Sequence, residues 1–179
     1  MQDDNELMEK VKKGDKYSYE ILVLKHRVSA IHFANSFLND VHTAEDIVQE
    51  SFAKVYINRM SYKFTYSFKT YLFTIIRNMC IDELRKTRRN AILNLDDTKD
   101  ISYDNIPEDI FSKKENMNEI IHHFRSLKDD YRIAIYLFAV EEMSYEKIAK
   151  IMQKSVIQVK ITIYRARKKL KSLYKKEML

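Results

Sequence analysis

The stretch Tyr62-Lys63-Phe64-Thr65-Tyr66-Ser67-Phe68 alternates aromatic rings with polar and basic residues, and Arg77, Asn78 and Arg85 follow it. The chemistry such residues offer is non-covalent: rings stack on unpaired bases while Lys and Arg hold the phosphate backbone. A loop that merely caps a core would carry the same rings. A second cluster, Glu45, Asp46, Gln49 and Glu50, puts acidic and amide groups on one side of a helix. Asp46 and Glu50 are spaced i, i+4 without a cation between them, a repulsion of about a few tenths of a kcal/mol. Carboxylates near a helix N-terminus are ordinary, which accounts for Glu45 and Asp46 but leaves Glu50, so the face suits a basic protein partner. The third cluster is basic. From Lys154 to Lys176 there are nine cations and no acid. Ser155 caps this helix, Gln158, Ile161, Thr162 and Arg165 lie opposite its apolar stripe and toward a major groove, and Lys160, Arg167 and Lys168 lie nearer phosphates. A membrane surface or a calmodulin-like partner also takes a basic helix; the capped helix and turn before it favour DNA.

Bond-making chemistry has no comparable support. No nucleophile, base or metal constellation stands out, so neither an enzyme nor a cofactor is expected. His26 and His32 read as packing or surface groups without a partner at ligand spacing, and Glu119, His122 and His123 read as a solvated patch, because one carboxylate and two adjacent imidazoles do not converge from one helix. Cys80 lies on an apolar stripe and reads as a small buried hydrophobe.

The elements that must position these clusters are helices. One Gly and one Pro in 179 residues leave almost nothing to form hairpin turns, so an all-α fold is expected. The net charge of +6 favours an anionic partner, nucleic acid first and an acidic membrane surface second. The N-terminus MQDDNELMEK is acidic and leads into no apolar run, so no signal peptide or membrane insertion is expected and the protein reads as cytoplasmic.

In chain order, Asp3 to Lys13 is a short helix closed by Gly14, and Asp15 caps a longer helix to Leu38 with Tyr19, Leu22, Val23, His26, Ala30, Phe33 and Phe37 on one side. Thr43-Ala44-Glu45-Asp46 forms a capping box for the next helix, which buries Ile47, Val48, Phe52, Val55 and Tyr56. Ser67 to Arg89 is a long helix with Phe68, Tyr71, Leu72, Ile75, Ile76, Met79, Cys80 and Leu84 inward and a cationic end that suits phosphate or, equally, a solvated helix C-terminus. Residues 90–112 are acidic and hold the only proline, a linker that is either solubilising or shaped to sit in a channel built for nucleic acid. A helix from Glu115 to Leu127 follows, then one from Asp129 to Ala139. Ser144 caps Tyr145 to Met152, a turn falls at Gln153-Lys154, and Ser155 caps the last helix, together a helix-turn-helix. Residues 1–89 and 113–179 are therefore two small helical domains, with 90–112 between them.

The residues Thr43-Ala-Glu-Asp-Ile-Val-Gln-Glu-Ser-Phe52, Phe68-Lys-Thr-Tyr-Leu72, Ile76-Arg-Asn78 and Ile81-Asp-Glu-Leu-Arg85 resemble region 2 of bacterial sigma factors of the extracytoplasmic-function (ECF) group of the sigma-70 family. Leu127-Lys-Asp-Asp-Tyr-Arg132, Met143-Ser-Tyr-Glu-Lys-Ile-Ala149, Ser155-Val156, Val159-Lys160 and Arg165-Ala-Arg167 resemble region 4. The resemblance implies an alternative sigma factor that binds core RNA polymerase through its β′ and β subunits, with Asp46, Gln49 and Glu50 on the β′ coiled coil. It implies that Tyr62, Phe64, Phe68 and Asn78 capture a flipped base of the −10 element, that Arg77 and Arg85 hold DNA there, and that Ser155, Gln158, Lys160, Thr162, Arg165, Arg167 and Lys168 meet the −35 element. It further implies promoter DNA and an anti-sigma factor as partners, no small-molecule substrate and no appended regulatory domain. Tyr71 stands where the family usually has Trp, Gln153 where it has a turn glycine, and Ile157 and Ile161-Thr162 where it has small or polar residues. The rival is a stand-alone dimeric helix-turn-helix regulator, for which the chain offers no spare apolar helix.

Overall fold

Several helix starts are set by side chains that close the open N–H groups of a first turn. In the computed structural model, which describes residues 3–93 and 123–177, Asp15 accepts from the Tyr17 N–H at 3.1 Å and from the Ser18 hydroxyl at 2.6 Å. Asp40 accepts from the His42 and Thr43 N–H groups at 3.0 and 3.4 Å and from the Thr43 hydroxyl at 2.6 Å. These bonds hold both carboxyls below the usual carboxylate range, the hydroxyl contact contributing most in each. Asp40 therefore begins the third helix, and the expected start at Thr43 is corrected: Thr43 sits inside the first turn and serves the cap rather than being it. Every regular element among the described residues is helical.

The chain divides into two compact units, Met1–Asp104 and Asn105–Leu179. In the first, α1 (Asp4–Lys12), α2 (Lys16–Leu38), α3 (Val41–Ile57), a 3₁₀ turn (Arg59–Ser61) and α4 (Phe68–Leu93) follow in order. Gly14, at φ 95°, and Asn39, at φ 52°, turn the chain out of α1 and α2 in the left-handed conformation. Helix α2 packs against α1, α3 and α4, and its buried Leu22, His26, Ala30, Phe33 and Phe37 form the centre. Phe33 stacks on Phe73 with ring centres 4.4 Å apart and meets Phe37 edge-on at 4.9 Å. Phe68, Leu72, Phe73, Ile76 and Cys80 of α4 are buried against these, and burial pushes the Cys80 thiol up to about 12, so it stays protonated and inert at neutral pH. Helix α4 runs to Leu93, past Arg89, so the expected linker begins inside a helix.

In the second unit, α5 (Asp129–Ile135) runs into a π-helical segment (Tyr136–Val140), followed by α6 (Tyr145–Met152) and α7 (Val156–Glu177). The π segment is the difference from a plain helix to Ala139. It closes with Glu142 at φ 50° and with the Met143 N–H donating to the Leu137 carbonyl at 3.0 Å. Ser144 caps α6, accepting from the Lys147 N–H at 3.4 Å, and Gln153 ends it at φ 54° in the place of a glycine. Ser155 and Gln158 exchange bonds at the start of α7: the Ser155 N–H donates to Gln158 Oε1 at 2.8 Å and the Gln158 N–H to Ser155 Oγ at 3.2 Å, a reciprocal capping box. Buried Ile148, Ile151, Met152, Val159, Ile163 and Ala166 join α6 to α7, with Ile133, Ala134 and Leu137 completing the core. Buried Arg132 links Asp129 at 2.9 Å to the Arg125 carbonyl at 3.0 Å. Most of the expected helix from Glu115 to Leu127, with Glu119 and His122, lies outside the described residues. His123 is buried rather than part of a solvated patch.

His26 ties α1 to α2, its Nε2 lying 2.9 Å from Asp4 Oδ2, with Lys25 on the other carboxylate oxygen at 2.6 Å. Burial lowers its pKa below the ordinary 6.5, against the pull of Asp4. A depressed folded pKa means that the unfolded chain takes up the proton first, so stability is full above pH 6.5 and is lost as pH falls through the folded value. Thermal melts between pH 7.5 and 5 should show a falling midpoint, and His26→Gln should make that fall shallower; equal slopes would remove His26 as its source.

Candidate nucleic-acid interface

The segment between the 3₁₀ turn and α4 splits its rings into two classes. Tyr62 is 2% exposed and Phe68 is fully buried, whereas Phe64 and Tyr66 are 42% and 41% exposed. Tyr62 meets Tyr71 at 5.1 Å, Phe64 at 4.9 Å and Phe68 at 6.5 Å, and its hydroxyl donates to the Tyr66 carbonyl at 3.0 Å with Asn5 Oδ1 at 3.4 Å. Burial pushes this phenol up to about 12, so it remains a donor. Tyr62 and Phe68 are buried in this structure and form the floor of the loop. Phe64 and Tyr66 are the rings it presents.

The floor is completed from an element the loop's own sequence does not announce. Lys12, on α1, donates to the Tyr62 carbonyl at 2.7 Å and stands 5.0 Å from the centre of the Phe64 ring. An ammonium on one face of Phe64 is a cation–π contact. With the Tyr62 ring also against it, Phe64 stays 42% exposed, and the charge beside it attracts phosphate. No local pattern marks Lys12, because its target is fifty residues away in the chain.

Beyond the loop, Arg77 and Asn78 are half-buried on α4, the Arg77 Nη1 donating to Asn78 Oδ1 at 3.2 Å. Arg85 is exposed and loosely paired with Asp82 at 3.4 Å, an arrangement worth little in water. Arg88 and Arg89 are exposed close by. On α3, Asp46, Gln49 and Glu50 are all exposed on one face. Glu50 is paired with Lys54 at 2.9 Å, so the repulsion expected between Asp46 and Glu50 is relieved one turn further along.

On α7, Ser155 and Gln158 are exposed but occupied with the helix start. Thr162, expected at the groove, is buried at 9% exposure, its hydroxyl donating to the Gln158 carbonyl at 2.7 Å. Lys160 lies 5.3 Å from the Tyr145 ring and Arg167 4.7 Å from Phe138, rings that stack on each other at 5.4 Å. These two cations brace α7 against the elements before it while remaining exposed. Arg165 and Lys168 are exposed on the outer face together with Ile157 and Tyr164, two residues absent from the expected contacts.

Two unlike surfaces result: in one unit a loop of exposed rings beside a cationic helix, in the other a helix-turn-helix with a basic outer face. Residues 22–90 match the family model for sigma-70 region 2 and residues 118–170 that for sigma-70 region 4. The ECF RNA polymerase sigma factor SigW of Bacillus subtilis is 32% identical over 173 residues, covering 92% of this chain and 92% of that protein. The RNA polymerase sigma-H factor of Pseudomonas aeruginosa is also 32% identical over 173 residues, covering 92% and 90%. Among solved structures, the sigma factor RpoE of Bartonella quintana, in complex with the anti-sigma factor NepR, superposes with a TM-score of 0.76 at 27% identity over 88% of this chain and 96% of that one.

Lys12→Met removes the donor to the Tyr62 carbonyl without removing bulk. It should cost the first unit about 1–2 kcal/mol and raise amide exchange across residues 62–67, with helical content unchanged. Unaltered exchange in the loop would show that Lys12 does not hold it.

Proposed function

This chain belongs to the ECF group of the sigma-70 family, and on that premise we propose how its surfaces divide the work of an alternative sigma factor, which binds core RNA polymerase and directs promoter-specific initiation of transcription. The observation that carries the reading is the presence in one chain, in order, of region 2 and region 4. Neither a bond-forming step nor a cofactor enters this function: the free energy comes from binding.

Helix α3 docks on core polymerase. Asp46, Gln49 and Glu50 present an exposed acidic face to a basic surface of the β′ subunit, and complementary charge supports both orientation and speed of docking. The loop over Tyr62 and Phe68 then captures a base of the −10 element extruded from the duplex, with Phe64 and Tyr66 as the stacking rings. Extrusion costs a few kcal/mol, and stacking returns about 1–3 kcal/mol for each base. Asn78 contacts that base, and Arg77, Arg85, Arg88 and Arg89 hold the strand. The unit built on α6 and α7 binds duplex DNA at the −35 element. There Lys160, Arg165, Arg167 and Lys168 contact phosphates and groove edges, and Ser155 and Gln158 fix the helix start from which that face is measured.

The RpoE neighbour is bound by an anti-sigma factor, which supports a similar inhibitory partner here, covering surfaces that polymerase or promoter would use. No described helix is long and apolar enough to cross a membrane, and the site of action is wherever core polymerase works, the cytoplasm of a bacterial cell.

The docking assignment is tested by Asp46→Arg combined with Glu50→Arg. Like charges brought together at the interface cost several kcal/mol, so affinity for core polymerase should fall on the order of a hundredfold, while circular dichroism is unchanged because both side chains are exposed. Core binding at the original affinity would remove α3 from the interface. A chain that runs as a dimer and shifts duplex DNA without polymerase would instead favour a stand-alone regulator.

A further inference from the structure

The outer face of α7 carries a feature that phosphate binding does not use. Ile157, Ile161 and Tyr164 are 71%, 43% and 67% exposed, and they follow one another at steps of four and three, a single line along the helix. That line is opposite the buried Val159, Ile163 and Ala166, so it runs down the middle of the exposed face. Lys160 and Arg165 flank it, Lys168 continues it one turn on, and no residue from Lys154 to Lys176 is acidic. An apolar ridge between cationic margins matches a groove whose rims are phosphate and whose floor offers apolar groups.

We propose that this ridge reads thymine: Ile157, Ile161 and Tyr164 pack on 5-methyl groups in the major groove of the upstream promoter element. The inference rests on the reading of α6 and α7 as the unit that binds that duplex. The second helix of a helix-turn-helix lies in the major groove, with residues near its N-terminus on base edges, and Ile157 and Ile161 fall in its first two turns. Base edges in that groove are hydrogen-bond donors and acceptors, apart from the thymine methyl. An isoleucine against a donor or acceptor would strip its water and give nothing back, whereas against a methyl it buries apolar surface on both sides. Ile157 and Ile161 are one helical turn apart, about 5–6 Å, and base pairs rise about 3.4 Å. The two side chains therefore address thymines one or two base steps apart.

The test uses the full chain with core RNA polymerase, on promoters obtained by run-off transcription of fragmented genomic DNA. Each thymine of the upstream element is replaced in turn by deoxyuridine, which removes the methyl and nothing else, and promoter occupancy is titrated. Two or more positions within two base steps should each lose about three- to fivefold in affinity, the worth of one buried methyl. In Ile157→Ser combined with Ile161→Ser, thymine and uracil should become equivalent at those positions; both side chains are exposed, so the unit keeps its core. Equal binding of thymine and uracil everywhere, with the upstream element still protected from cleavage, would overturn the proposal alone and leave that face to a protein partner. Absence of any upstream protection would instead overturn the reading of α6 and α7 on which the proposal rests.

Discussion

The closure of helix ends by side chains is the constraint on which both units depend. With one glycine in the whole chain, the polar groups left open at each helix end have to be satisfied by other residues. Asp15, Asp40 and Ser144 do so at helix starts, Ser155 and Gln158 do so jointly, and Asn39 and Gln153 accept the left-handed turn without being glycine. A cap fixes where a helix begins, and the apolar stripe that packs on the core fixes which side chains face inward. The outer line on α7 lies opposite buried Val159, Ile163 and Ala166, and the acidic face of α3 opposite buried Val48, Phe52 and Val55.

What those helices leave outside differs between the two units in a way that suits two states of DNA. The first unit buries Tyr62 and Phe68 and leaves Phe64 and Tyr66 exposed, a surface that the proposed function assigns to bases out of the stack. The second presents a helix with cations along both sides of an apolar ridge, a surface that the proposed function assigns to an intact duplex. Rigidity is supplied differently in each. In the loop it comes from Tyr62, with its hydroxyl on the Tyr66 carbonyl and its own carbonyl held by Lys12; in the second unit it comes from Arg167 and Lys160 laid against Phe138 and Tyr145. On α7 the two cations that brace the surface, Lys160 and Arg167, are ones the sequence assigns to phosphate; Lys12 at the loop is not.

Helix α1 shows how a segment outside the matched family regions enters the site. The region 2 match begins at residue 22, yet α1 contributes Lys12 to the loop and Asp4 to buried His26. Its three apolar residues, Leu7, Met8 and Val11, are fully packed, and their burial is what gives Lys12 a fixed origin from which to reach the loop.

The sequence by itself determined the all-α class, the helix-turn-helix, most caps and the resemblance to region 2 and region 4, because a 3.6-residue period and a capping side chain are local signals carried by neighbours in the chain. It also marked the three candidate clusters, since charge and aromatic content do not depend on packing. Which member of a cluster faces solvent was decided only by tertiary structure. A loop has no period, so nothing local separates Tyr62 from Phe64. Asp40 and Thr43 are both good caps three residues apart, and the outcome turns on Asp40 collecting three bonds at once. Thr162 sits at the border of the α7 stripe, where one hydroxyl bond back to the helix allows it to be buried. Lys12 acts across fifty residues of chain, and a contact of that kind exists only once α1 and the loop have been packed against the same core.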